Sequence, residues 1–325
     1  FFHLAYPGGG RHTLEQQQKE GRPLERRECE TRYELAAAIL PSRLRRIAME
    51  LPETDKRRAE EFRLRAGHCL SVLLPEGERS LEVIVTTEGL ETLCDIAAEF
   101  SRYASIETLR QGFLPVRGGF RVGLCGAAVV KDGEITNLKQ ISSAVIRISR
   151  EQKGIARAVA PRLFRGGRFV STLLLSPPGG GKTTLLRDLI RQLSQGEGVP
   201  PQRIILIDER EEIAVMYRGQ PQMDVGPRTD VLSGCPKALA IPMALRAMNP
   251  QIIAVDEITV REDLRAISQA AGCGVALLAT IHAANVEELQ AKPIYQELLA
   301  GRVFRQAVRI RKGPEGRLYA VEDLP

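Results

Sequence analysis

The stretch that most limits what this chain can become is STLLLSPPGGGKTTLLRDLI, residues 171–190. An apolar, β-rich run from Phe169 to Leu175 stops at Ser176. A tight loop of Pro177, Pro178, Gly179, Gly180 and Gly181 follows. Lys182, Thr183 and Thr184 then open a helix whose apolar residues recur at Leu185, Leu186, Leu189 and Ile190. Strand, glycine-rich loop, Lys-Thr and helix start together make a phosphate-binding loop. Glycines let backbone N–H groups turn toward phosphate oxygens, and the helix N-terminus adds a field that favours anions. On this reading Ser176 through Thr184 cradle a nucleotide. Lys182 reaches its β- and γ-phosphates, and the Thr183 hydroxyl sits on Mg²⁺. The general pattern, G-x-x-x-x-G-K-[ST], has a glycine where this chain has Ser176. The plain alternative is a glycine-rich turn before an ordinary helix, which leaves the strand-to-helix context unexplained.

A length of 325 residues suggests about two domains, each large enough for a core. Hydrophobic content of 43% and charged content of 26% are those of an ordinary globular protein. No apolar run approaches the roughly 20 residues that span a bilayer, and no signal peptide is recognisable. The six cysteines are scattered, with no C-x-x-C pair, as expected of reduced cytosolic thiols rather than a zinc site. A net charge of +6 permits contact with nucleic acid, but no basic–aromatic strip accompanies it.

The chain opens at Phe1 without a methionine, so a fragment or a start elsewhere is expected. Residues 1–34 are polar and aperiodic and read as a disordered or extraneous tail. Residues 35–150 read as an α+β domain. A helix is broken at Pro41-Ser42, strands cover 61–67, 69–75 and 80–86, and a helix covers 88–103. A short helix runs through Ile106 and Leu109, and antiparallel hairpins fill 112–151. Its arginines Arg117, Arg121, Arg147 and Arg150 are either solvated strand faces or nucleotide contacts. Residues 151–168 read as a helix and a Gly-Gly turn. After the loop helix come strand 204–208 and the acidic EREE at 209–212. A long loop covers 216–235, and a mostly buried helix covers 237–248. Strand 252–255, helix 261–271, strand 274–280, helix 289–299 and a hairpin over 304–323 complete the chain.

Two strand ends, IILIDE (204–209) and IIAVDE (252–257), could each carry the acidic residue that holds Mg²⁺ and the carboxylate that acts on water. In the P-loop class with a catalytic glutamate, one strand is inserted between the loop strand and the Mg²⁺ strand. Chain order makes IILIDE the inserted strand and IIAVDE the Mg²⁺ strand. Asp256 then holds the metal and Glu257 acts on the water, although a helix N-cap is the plain alternative for the pair. The following strand supplies a γ-phosphate sensor, Thr280 or His282, at the sheet edge where such folds bind ligands. Glu209 and Glu212 are either site residues or a solvated acidic turn.

These segments resemble the type II/type IV secretion ATPase superfamily. IDEREE (207–212) is similar to its acidic box, with Glu209 and Glu212 at the acidic positions. ALRAMNPQIIAVDEI (244–258) is similar to its Walker B stretch, with Glu257 at the catalytic glutamate. GVALLATIHAANVEEL (274–289) is similar to its histidine box, with His282 at the histidine. Longer strings, among them AEEFRLRAG, GGFRVGLCG, ISSAVIRISRE and DVGPRTDVLSGCPKA, resemble a sporulation family within that superfamily, over residues 36–325. In that family the Ser-Pro-Pro start of the loop is usual.

The resemblance implies an α/β fold: a P-loop NTPase core with a mainly parallel, RecA-like sheet over 151–325, preceded by the smaller α+β N-terminal domain. It implies an ATPase using ATP and Mg²⁺, a homo-hexameric ring, and hydrolysis that drives domain rotation. It also implies a mother-cell cytoplasmic location, peripheral to the forespore membrane, with channel proteins of the same operon as partners. An arginine neutralising the transition state is expected among Arg121, Arg147 and Arg246. A P-loop ATPase acting on nucleic acid is the competing reading, and a non-hydrolysing nucleotide scaffold a third. Glu257 argues against the scaffold.

Overall fold

The computed structural model describes residues 32–98, 112–313 and 316–325. The chain divides into two compact units, Phe1–Arg150 and Glu151–Pro325.

The first unit is built on a six-stranded antiparallel sheet. Its strands are β1 (Glu61–Arg65), β2 (Cys69–Leu74), β3 (Gly77–Ile84), β4 (Phe113–Val116), β5 (Phe120–Lys131) and β6 (Glu134–Arg147), in the order β3-β2-β1-β6-β5-β4. Period-two alternation buries Phe62 and Leu64 of β1 and Val122 and Leu124 of β5. The β5–β6 hairpin turns at Asp132-Gly133, both with positive φ (53° and 81°). Asp-Gly suits the two left-handed positions that such a tight hairpin needs. Helices α1 (Ser42–Met49), α2 (Glu53–Lys56) and α3 (Thr87–Ala97) belong to this unit. The Thr86 side chain caps α3 by accepting from Gly89 N–H at 3.0 Å. The rest of the expected 88–103 helix, and the helix expected through Ile106 and Leu109, lie outside the described residues.

The boundary expected at residue 34 moves. Tyr33 is fully buried, its ring 5.1 Å from that of Phe62, and its hydroxyl donates to Ala48 O at 2.8 Å. Arg32 lies over the Phe120 ring at 4.3 Å. Both residues are packed into the unit. Residues 1–31, the remainder of the expected tail, lie outside the described residues.

The second unit has a seven-stranded sheet in the order β13-β10-β14-β15-β9-β16-β17. Its members are β9 (Thr172–Ser176), β10 (Ile204–Asp208), β13 (Thr229–Ser233), β14 (Ile252–Glu257), β15 (Ala276–His282), β16 (Gln306–Gly313) and β17 (Gly316–Asp323). All neighbours are parallel except β16–β17. Helices cover both faces, which is why the central strands read as unbroken apolar runs. Leu173, Ile205, Ile253 and Leu277 face a core shared with α5 (Lys237–Ala247), α6 (Arg261–Gly272), α7 (Val286–Ala291) and α8 (Pro293–Ala300). Leu174, Leu206, Ala254 and Leu278 face the other core, which contains Leu185, Leu186 and Leu189 of α4 (Lys182–Gln195).

Several expectations are corrected here. The strand lying between β9 and the Asp256 strand is β15, which carries His282; β10 lies on the far side of β14. Chain order does not reveal spatial order, because each parallel crossover can land on either side of its predecessor. Residues 151–168 hold no α-helix. Gly154 takes a φ of 84°, only Ala160–Leu163 is helical, as a 3₁₀ turn, and a small hairpin of β7 (Phe164–Arg165) and β8 (Arg168–Phe169) follows. The expected loop 216–235 contains a short hairpin of β11 (Met216–Tyr217) and β12 (Gln220–Pro221) and the edge strand β13. The expected helix 289–299 is two helices, since Lys292 is extended before Pro293. Helix α5 is not mostly buried: Leu239 is 68% and Met243 47% exposed.

Candidate nucleotide site

Strand β9 ends at Ser176 and delivers the chain into a loop whose Gly179 and Gly181 have φ of 71° and 99°. Gly180 N–H donates to Pro177 O at 3.1 Å, closing the turn. A Cβ on Gly180 would collide with the Ser176 side chain. Gly181 caps α4 without a side chain, so the first-turn N–H groups of the helix point outward with no capping acceptor. The loop is therefore a concave nest of backbone donors.

Parallel register brings the rest of the site to this edge. His282 of β15 lies opposite Ser176 of β9, and Glu257 of β14 opposite Thr280 of β15. Lys182, only 6% exposed, donates from Nζ to Ser176 O at 2.9 Å and to His282 Nδ1 at 2.6 Å. His282 Nε2 lies 2.9 Å from Glu257 Oε2. With Nδ1 accepting, Nε2 carries the proton and donates to the carboxylate. Lys182, His282 and Glu257 thus form one chain of contacts. Burial pulls the Lys182 ammonium below the usual lysine range, against the pull of Glu257 and Asp256. Asp256 is 4% exposed. Burial first, and then the neighbouring Glu212 and Asp208 charges, hold its carboxyl above the usual range, partly offset by backbone hydrogen bonding and Arg210. Asp256 and Glu257 lie in β14, and α6 is capped by Val260, so the pair does not cap a helix. Lys182, Thr183, Thr184, Asp256, Glu257, Thr280 and His282 line one pocket of about 330 Å³.

The acidic box divides. Asp208 is fully buried, and its carboxylate accepts N–H groups from Glu212 (2.9 Å), Ile213 (3.1 Å) and Ala214 (2.8 Å). Arg187 ties the same turn by donating to the carbonyls of Ile213 at 2.7 Å and Glu212 at 2.6 Å. The turn presents Glu212 to the pocket beside Arg210, which lies 3.3 Å from Glu212 and 3.9 Å from Glu257. Glu209 points elsewhere: it pairs with the buried Lys237, which also faces Asp263 at 3.9 Å. Arg246 is exposed on α5 and does not line the pocket. Arg121 lies over Phe113, Arg147 is 3.6 Å from Glu61, and Arg150 donates to Lys56 O, all within the first unit.

Two cations at the pocket were not singled out in the sequence. Arg210 was hidden inside an acidic run. Arg317 of β17 lines the pocket from the C-terminal hairpin, whose sequence carries no motif. Only the β9–β16 pairing puts it there.

Among the described residues no three His, Cys, Asp or Glu side chains form a metal cage. A cation here would be held by Thr183, Asp256 and the phosphates, which is the usual manner of Mg²⁺ in nucleotide sites. The glycine nest and this donor set fit a Mg²⁺–nucleotide.

The family profile described as "Sporulation stage III, protein AA" matches residues 30–323. Stage III sporulation protein AA of Bacillus subtilis (strain 168) is 35% identical over 281 residues, covering 86% of this chain and 91% of that protein. Among solved structures, the pilus retraction motor PilT with bound ADP superposes with a TM-score of 0.55 at 18% identity, covering 82% of this chain and 79% of that one. The Yersinia pseudotuberculosis ATPase DotB gives a TM-score of 0.53 at 15% identity, covering 82% and 75%. The fold, an α/β core with a smaller N-terminal unit, is shared with these two proteins.

Proposed function

The chain belongs to the sporulation stage III, protein AA family, and from that premise we propose that it hydrolyses ATP to ADP and phosphate with Mg²⁺. The observation that carries the reading is the contact chain from Lys182 through His282 to Glu257 at the mouth of the phosphate loop, with Asp256 beside it. Backbone N–H groups of residues 181–184 and the Lys182 ammonium hold the phosphates. Thr183 and Asp256 would hold Mg²⁺, which would supply charge neutralisation on the phosphates. Glu257 orients the attacking water and accepts its proton. His282 fixes the Glu257 carboxylate and senses the γ-phosphate, because Lys182 must leave His282 to reach it. Glu212 and Arg210 complete the wall opposite, and Glu209 holds the acidic turn through Lys237.

Family membership and the fold shared with the solved structures support a larger setting for this activity. The working form is a homo-hexameric ring with nucleotide-driven domain rotation. It sits in the mother-cell cytoplasm, peripheral to the forespore membrane, and acts on channel proteins encoded with it. No helix among the described residues is long and apolar enough to cross a membrane.

Turnover of ATP by wild type, Lys182→Ala and Glu257→Gln tests the core of this. Lys182→Ala is expected to lose nucleotide affinity. Glu257→Gln is expected to bind ATP while kcat falls at least ~100-fold, the scale of losing a general base. Normal hydrolysis by Glu257→Gln would show that another carboxylate acts on the water.

A further inference from the structure

The C-terminal hairpin reaches the phosphate loop from the side opposite His282. Strand β16 pairs in parallel with β9 from Gln306 opposite Thr172 to Arg309 opposite Leu175. Its continuation therefore runs past Ser176 and alongside the loop. Strand β17 returns antiparallel, with Arg317 opposite Lys312. The Arg317 guanidinium comes to rest against Gly181: a Cβ there would lie 2.5 Å from Nε and 2.7 Å from Cζ. Gly181 thus serves both the left-handed backbone and the close approach of this arginine.

Arg317 stands at a junction. It lines the phosphate pocket with Lys182 and Asp256, and also an adjoining cleft of about 1110 Å³ walled by Ile155, Ile310 and Tyr319. Arg309 of β16 is committed to Glu322, and Asp323 of β17 to Arg165 of β7, while Arg311 lines the cleft but not the phosphate pocket. Arg317 makes no ion pair among the described residues. Its hydrogen bond is a long one, from Nη1 to Gln152 Oε1 at 3.4 Å. A guanidinium held over a nest of N–H donors without a carboxylate partner is arranged for an oxyanion. It touches the loop at Gly181 and is the side chain that lines both the phosphate pocket and the adjoining cleft, so it lies between the loop and the space open to the rest of a nucleotide.

We propose that Arg317 is a phosphate-binding residue supplied by the chain's own C-terminal hairpin, contacting the α- and β-phosphates of a nucleoside di- or triphosphate whose nucleoside half occupies the adjoining cleft. This rests on the nucleotide-binding reading above. Because ADP and ATP share those two phosphates, the contact strengthens both alike and does not select between substrate and product.

The test is the dissociation constant of the full chain, with Mg²⁺, for ADP and for a non-hydrolysable ATP analogue. Wild type, Arg317→Ala and Arg317→Lys are compared by calorimetry, and ligand-free melting curves confirm that each variant folds. Arg317→Ala is expected to weaken both ligands by a similar factor of ~10 or more, the scale of a lost charge-assisted hydrogen bond. Arg317→Lys recovers part of the loss, since it keeps the charge but not the fork. Unchanged affinity in Arg317→Ala, or tighter binding because an obstructing cation is gone, overturns the assignment. A loss confined to the ATP analogue overturns the α/β contact in favour of a γ contact. A wild type that binds neither nucleotide overturns the parent reading and this one together, whereas a wild type that binds and an Arg317→Ala that binds equally overturns this one alone.

Discussion

Asp256 shows most plainly what the site costs the fold. Its carboxyl is buried beside Glu212 and Asp208 and is held above the ordinary range. A carboxyl with a raised value binds its proton more tightly folded than unfolded. Its stabilising contribution is therefore present at low pH and is lost as pH rises through the raised value. Above that value the charged form burdens the native state. Asp256→Asn is expected to raise the melting temperature at pH 7, with the gain shrinking toward pH 4, while Mg²⁺-dependent nucleotide affinity falls. Melting curves across pH, read beside nucleotide binding, check both signs. A melting temperature lower than wild type at pH 7 would show that the aspartate is stabilised by contacts it lacks in this structure. Lys182 stands in the mirrored situation, since burial opposes its charge and arriving phosphates would relieve that.

At the scale of elements, the acidic turn after β10 matters as much as the loop after β9. Three backbone N–H groups converge on the Asp208 carboxylate inside the protein. Asp208→Ala leaves those donors buried and unpaired and is expected to cost about 3 kcal/mol in urea unfolding. It should also lower nucleotide affinity, because Glu212 is aimed by that turn. Asp208→Asn, which restores an acceptor, should recover most of the stability. The phosphate loop itself was legible in the sequence because its determinants are local: a strand, three glycines, Lys-Thr and a helix within twenty residues. Strand β13 was not. TDVLS mixes polar and apolar residues because it pairs on one edge only and is nowhere fully buried, so it lacks the apolar run that marked its neighbours. Helix α5 was read as buried from its composition, whereas its inner stripe is Ala240, Ile241 and Ala244 with Leu245 partly buried beside them, and Leu239 and Met243 face water.

Across the whole molecule the two units carry separate cores, and all the site residues placed above belong to the second. Ligand that binds only the folded second unit stabilises it by mass action, about 2.7 kcal/mol at a concentration 100 times the dissociation constant. Hydrogen exchange with saturating Mg²⁺–ADP is expected to slow amides in β9, β10, β14 and β15 far more than those in β1 to β6. Equal slowing in both sheets would mean that the first unit also holds the nucleotide. Spatial order across the sheet was the part least accessible from sequence. The residues Ser176, His282, Glu257 and Asp208 were all visible as strand ends, but that β15 separates the loop strand from the Asp256 strand is a property of crossovers. So is the arrival of Arg317 at Gly181, which depends on β16 lying beside β9. Pattern reading finds residues and local elements, and neighbourhood comes only with topology.

The antiparallel return of β17 also decides where the molecule can be held for measurement. Gly316 pairs with Gly313 beside the phosphate loop, while Asp323 pairs with Gln306 at the other end of the strand. The eight residues of β17 span roughly 25 Å of extended chain. A dye or surface tether attached at position 323 would stay well clear of the loop. One attached at 316 would rest against it and report on whatever enters.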